Sequence, residues 1–182
     1  SYGSALAKES KKKLVVISIN AKNSKELAKY GPDKIISISN SSMNNYNAQV
    51  FADSVSEVSK KEGVSILVLS STADSKYIAP LIAIQLSAGL ASNVVSTPIS
   101  ISPLVVKRSC FTNKAFNETK LLGDINIICV SNNSYGIHEN QTQPEMVDEN
   151  AIVKNPKTKV ESIDKATGLV SIADADIVVS GG

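Results

Sequence analysis

Apolar and polar positions alternate along the first half of the chain in blocks of recognisable period. Residues 14–19 (LVVISI) form a nearly unbroken β-branched run, as expected of a strand covered on both faces. Residues 24–30 predict a short helix, which Gly31-Pro32 stops, and residues 35–38 predict the next strand. A loop rich in Ser and Asn follows over residues 39–47. Ala48, Phe51, Ala52, Val55 and Val58 then share one helical face, while Asp53, Glu57, Lys60 and Lys61 fall elsewhere. Gly63 ends that helix, and residues 65–69 give a third buried strand. After a polar loop, an apolar helix is predicted over roughly residues 76–90, with Pro80 near its first turn and Gly89 near its end. Strands joined by helices of this length indicate βαβ units, a parallel sheet, and helices on both faces.

The second half changes character. Residues 103–110 (PLVVKRSC) and 114–120 are extended runs separated by Phe111-Thr112-Asn113, which predicts a β-hairpin. Residues 125–130 (INIICV) predict another buried strand. From residue 131 to 156 the chain is polar and reads as a long loop or linker, with residues 160–163 as an edge strand. Residues 1–10 read as the end of a helix with Tyr2 and Leu6 on one face and lysines in the C-terminal turn, where cations are favoured. Residues 173–182 read as a short apolar strand entering a Gly-Gly turn, a place where backbone can approach a phosphate closely.

Composition narrows the function classes. A net charge of +2 on 182 residues is too balanced to indicate nucleic acid, and no apolar run is long enough to span a membrane. Cys110 and Cys129 lie inside apolar strand patterns without metal-ligand spacing, which reads as reduced core thiols, and the cytoplasm is the expected compartment. His138, the single imidazole, lies in a polar loop and reads as solvated. The stretch 70–75 (SSTADS) follows a strand, where α/β sheets bind ligands, but it lacks the glycines of a phosphate loop; helix capping is the plainer reading. Asp174 and Asp176 flank Ala175 and read equally as charged punctuation or as a carboxylate pair. No nucleophile–base set or zinc motif is present.

Four stretches carry a resemblance. Residues 26–35 (ELAKYGPDKI), 72–91, 106–116 (VKRSCFTNKAF) and 174–182 (DADIVVSGG) follow one another in the order and spacing of the alpha subunit of electron transfer flavoproteins, which the chain resembles over residues 14–182. It departs from that pattern at Ser75-Lys76, where relatives carry Gly-Lys, at Pro80-Leu81, where they carry Pro-Arg, and at Thr112, where the hairpin has Gly. These departures suit a helix start used for packing and not for anion binding.

The resemblance implies a three-layer α/β/α domain of the adenine-nucleotide alpha-hydrolase-like kind, with a mainly parallel sheet and an antiparallel hairpin. Residues 1–156 would be domain I, and residues 157–182 a linker and strand leading into the FAD-binding domain. A first strand is expected ahead of Ser1, so that the chain is a piece cut at both ends. The implied role is a scaffold without catalysis of its own, packed on a beta subunit. The parent complex takes electrons from acyl-CoA or other dehydrogenases onto FAD and passes them on. Only Ser180, Gly181 and Gly182 would touch that FAD, so the piece itself is expected to bind none; AMP belongs to the beta subunit. A different class remains open: a free-standing nucleotide-binding domain of the universal-stress or ATP-pyrophosphatase kind, which needs a Gly-rich anion loop not found in residues 14–24. Two packing expectations accompany the resemblance. Tyr77, Ile78, Leu81, Ile82, Leu86 and Leu90 should form a helix buried on more than one side. Val105, Phe111, Phe116, Tyr2 and Leu6 should form an apolar patch through which the isolated piece self-associates.

Overall fold

The structure, a computed structural model, describes residues 1–151, 154, 156–163, 172, 175 and 177–181. Three helices, α1 (Tyr2–Ser10), α2 (Ala48–Lys61) and α3 (Ala73–Leu86), pack on two sheets. The smaller sheet holds β1 (Val15–Ile19), β2 (Lys34–Ile38) and β9 (Glu145–Glu149) in the order β1-β2-β9, all parallel. The larger holds β3 (Ile66–Ser70), β4 (Gly89–Val94), β5 (Ser100–Ile101), β6 (Leu104–Cys110), β7 (Ala115–Leu121) and β8 (Asn126–Val130), in the order β3-β8-β4-β6-β5 with β7 on the other side of β6. β3, β8 and β4 run parallel, whereas β5, β6 and β7 add an antiparallel flap.

Alternation along β8 fixes the layers. Ile127 and Cys129 point into a cluster with Ala52 and Val55 of α2 and Ala79, Ile82 and Leu86 of α3. Ile128, between them, points the other way, into a cluster with Tyr2 and Leu6 of α1 and Ala91, Val94 and Val106 of the sheet. Successive side chains of a strand face opposite sides, so one buried five-residue strand glues a helix layer to each face. The arrangement is the expected three-layer α/β/α sandwich. α2 reaches across to the smaller sheet, where Val50 and Val58 pack with Ile36, Ile38 and Met43.

Helix ends follow local chemistry. Asn47 Oδ1 accepts the backbone N–H of Gln49 (3.0 Å) and Val50 (3.4 Å) to start α2, and Lys60 and Lys61 occupy its last turn. Thr72 Oγ1 accepts the N–H of Ser75 (3.2 Å) to start α3. Both α1 and α3 end on left-handed residues, Lys11 (φ 53) and Ser87 (φ 51).

Several expectations are corrected. α3 begins at Ala73 and ends at Leu86, so Pro80 lies inside it and Gly89 and Leu90 belong to β4. The turn at Ser87 stops the helix earlier than its apolar composition indicates, because β4 must return to pair with β8 from Gly89 onward. A Cβ on Gly89 would sit 2.7 Å from Asn126 Oδ1, which explains glycine at that point of closest approach. The polar stretch 131–156 contains β9, whose Lys34↔Glu145 register continues the smaller sheet. Residues 160–163 form no strand. β1 lies at a sheet edge, and its apolar side chains are only half-buried instead of covered on both faces.

Candidate functional site

Two surfaces carry the features that could serve a partner or ligand. The first is a cleft of about 490 Å³ at the carboxyl ends of β3 and β8, the position where open α/β sheets take ligands. Ser1 and Tyr2 at the start of α1 form one wall, and Ser70, Asn132, Tyr135 and Ile137 form others. Tyr2 stacks edge-on to Tyr135 at 5.3 Å between ring centroids, and its hydroxyl donates to the Ser96 carbonyl (3.1 Å). Burial pushes the Tyr2 phenol up to about 12, with Tyr135 and Glu9 adding to the shift, so it stays a neutral donor. Ser70 Oγ donates to Asn132 Oδ1 (3.1 Å), and Ser71 Oγ donates to the Cys129 carbonyl (3.0 Å).

The hydroxyls of the 70–75 stretch are therefore committed to the protein itself. Thr72 caps α3, and Ser71 ties the strand end, as the capping reading expected. Among the described residues, no charged side chain and no imidazole lines this cleft. It can hold packed side chains or a neutral group, and the described side chains offer no charge to a phosphate and no base to a nucleophile. Sequence reasoning had missed Tyr135 and Asn132; their signal was position alone, just past a buried strand. His138 is exposed and stacks edge-on to Tyr135 (5.4 Å); its backbone N–H donates to Ser1 Oγ (2.8 Å), which in turn donates to the His138 carbonyl (2.9 Å).

The second surface is the β6–β7 hairpin. Phe111, Thr112 and Asn113 form its turn, all left-handed (φ 52, 54 and 60), and Ser109 Oγ donates to Asn113 Oδ1 (2.8 Å). Phe111 and Phe116 stand 78% and 61% exposed, with Lys114 and Lys107 ammonium groups 5.8 and 4.8 Å from their ring centroids. Val105 is half-buried. Tyr2 and Leu6, expected in the same patch, are instead core residues under the larger sheet. At the hairpin's inner side, Arg108 Nη2 donates to Ser92 Oγ (3.0 Å), while its buried Nε has no hydrogen-bond partner among the described residues.

The remaining predicted positions do not join either surface. Ser180 and Gly181 are exposed, with nothing within 4 Å of a Cβ placed on Gly181. Gly182, Asp174 and Asp176 lie outside the described residues. Cys129 is buried and its thiol is pushed up to about 11 by desolvation, consistent with a core thiol; Cys110 is half-buried. Among the described residues there is no group of acids, cysteines or histidine able to hold a metal, and no helix is long and apolar enough to cross a membrane.

Fold and surfaces together define a three-layer α/β/α domain whose ligand-end cleft is uncharged and whose hairpin presents apolar rings. The chain belongs to the electron transfer flavoprotein domain family, whose model matches residues 1–164. It is 24% identical over 172 residues to the electron transfer flavoprotein subunit alpha of Bacillus subtilis (strain 168), covering 92% of this chain and 53% of that protein. It is 26% identical over 176 residues to the subunit of the same name from Thermoanaerobacterium thermosaccharolyticum, again covering 92% of this chain and 53% of that protein. The chain thus spans about half the length of the curated relatives it matches.

Proposed function

We propose that this chain is the scaffold domain of an electron transfer flavoprotein alpha subunit. In this reading it packs on a beta subunit and supports an FAD carried by the flavin-binding part of the alpha subunit. The parent complex receives electrons from acyl-CoA or other dehydrogenases and hands them to an acceptor; AMP, where present, sits in the beta subunit. Redox chemistry belongs to the flavin, and this domain contributes position and packing without catalysis of its own. The observation that carries the reading is the family match through residue 164, with both relatives being alpha subunits. The uncharged cleft agrees with it, since a free-standing nucleotide-binding domain needs cations or a Gly-rich anion loop at that point. Phe111 and Phe116 supply apolar area of the kind obligate subunit contacts cover, and the domain alone is expected to self-associate through them.

Co-expression tests this. The chain joined to the FAD-binding domain of an electron transfer flavoprotein alpha subunit should co-purify with a beta subunit and carry stoichiometric flavin. Residues 1–182 alone should be colourless, because Ser180, Gly181 and Gly182 cannot enclose a cofactor. Stoichiometric flavin on the 182-residue chain, or tight nucleotide binding in the absence of any partner, would overturn the proposal.

A further inference from the structure

β7 pairs with β6 along its whole length, and among the described residues nothing pairs with its other edge. Native sheets blunt such edges with proline, a bulge, a very short strand or a guarding charge. The register of β7 to β6 runs unbroken from Leu104↔Leu121 to Cys110↔Ala115, and its sequence, AFNETKL, holds no proline. The edge is also open to approach. Residues 115–118 and 120 are exposed, and Leu122, the next residue after the strand, is 79% exposed. Phe116, Glu118 and Lys120 alternate along β7 and so share one face, and Leu122 continues that spacing. Lys107, directly across from Glu118 on β6, leans instead on the Phe116 ring. Neither Glu118 nor Lys120 has an ion-pair partner among the described residues. Two opposite charges, two positions apart and both unpaired, guard this edge against most strands but not against its own copy.

We propose that this edge takes a second copy of the chain: two β7 strands pair antiparallel across a two-fold axis at Thr119, joining the two flaps into one sheet. Charge selects both the occupant and the register. A residue that turns its N–H and C=O outward must meet another that does the same, and such residues alternate along a strand. Only registers with a residue on the axis are therefore in phase. With Glu118 or Lys120 on the axis, like charges lie directly opposite each other, which destabilises the pair. With Asn117 there, Phe116 lies opposite Glu118, and Lys114 opposite Lys120. Axes nearer either end leave half the strand unpaired. With Thr119 there, Glu118 of each copy lies opposite Lys120 of the other, and Phe116 lies opposite Leu122. One face then carries two ion pairs flanked by two apolar pairs, each of a kind that stabilises neighbouring strands. Such complementarity of a surface with itself about an axis is what an isologous dimer requires.

The pairing rests on the self-association in the functional reading and deepens it. Co-purification with a beta subunit tests that reading, whereas charge reversals on β7 test the pairing alone. Sedimentation of residues 1–182 from about 1 μM to 1 mM should show a monomer–dimer equilibrium. Glu118→Lys and Lys120→Glu each set like charges opposite one another on both sides of the axis, and each should weaken the dimer about tenfold or more. An equimolar mixture of the two variants should associate as wild type does, because each supplies the sign that the other's strand needs. The double variant Glu118→Lys/Lys120→Glu, with the net charge of wild type, should do so as well. Recovery in either case shows that the single variants had lost the pairing and not their fold. Single variants that associate as tightly as wild type, or failure of both the mixture and the double variant, would overturn the proposal. So would a wild-type chain that stays monomeric throughout, which leaves the edge to a different partner.

Discussion

α2 and α3 are each fourteen residues long and meet over the same cluster, yet they solve different problems. α2 segregates sharply: Val50, Ala52, Val55 and Val58 face inward with three small serines, and its charges face water. α3 is apolar on nearly every side but buries only Ala79, Ile82 and Leu86. Tyr77 and Ile84 stand 67% and 78% exposed in the chain by itself; the expectation of cover on more than one face assigned the second face to another chain or extension. The contrast teaches that apolar composition and amphipathic period carry different information. Period places a helix on its sheet; surplus apolar area on the far side marks a surface without a partner inside this chain.

The sharpest way to break that distinction is to open cavities under each helix. Ile82→Ala should cost about 3–4 kcal/mol and Val58→Ala about half of that, because more volume is lost beneath α3. Equal or reversed costs in denaturant melts would show that α2 carries the shared core. Helix caps should come next. Asn47 accepts two backbone donors and its Nδ2 also donates to the Thr158 carbonyl (2.9 Å), whereas Thr72 accepts one backbone donor. Asn47→Ala should therefore lose about 1–2 kcal/mol and Thr72→Ala about 1 kcal/mol by the same measurement.

Substitutions on the outer face of α3 should barely register. Ile84→Ser and Tyr77→Ser are expected to shift stability by less than about 0.5 kcal/mol in the isolated chain. A loss above about 2 kcal/mol would place either residue in a core. The last effect changes with pH only in the alkaline range. The Cys129 thiol, which faces both helices, has its folded pKa raised from an ordinary 9.0 to about 11 by desolvation. The folded state thus holds its proton more tightly than the unfolded one. Its contribution is complete below about pH 9 and is lost as pH rises toward 11. Melting wild type and Cys129→Ala between pH 8 and pH 11 should show a steeper decline for wild type; parallel profiles would remove desolvation as the cause.

Legibility followed the same division. β1, β2, β3 and β8 were readable because β-branched runs bounded by Gly, Pro and polar residues have few alternatives. α2 was readable because its period is strict. The hairpin was readable from two extended runs around a three-residue turn. The boundary between α3 and β4 was not, since residues 86–90 stay apolar across it and the break is one left-handed serine. β9 was hidden by composition: Glu145, Asp148 and Glu149 read as loop, and only the neighbouring β2 edge, with Lys61 paired to Glu149 at 3.0 Å, makes them a strand. Tyr2 and Leu6 were placed on the right helical face, but their burial depends on residues about a hundred positions away. The cleft was legible as a strand-end position, and the lack of phosphate-loop glycines was visible in SSTADS.

The same long reach gives α1 a peculiar place in the life of the chain. Tyr2 bonds to the carbonyl of Ser96, 94 positions on, and Ser1 to that of His138, 137 positions on. At ordinary synthesis rates of about 5–20 residues per second, roughly 7–27 s pass between the appearance of Ser1 and of His138. A nine-residue helix is too short to persist in water by itself over that interval. α1 is thus made well before the residues it docks against, and until they appear Leu6 and Tyr2 remain open to any chaperone at the ribosome exit.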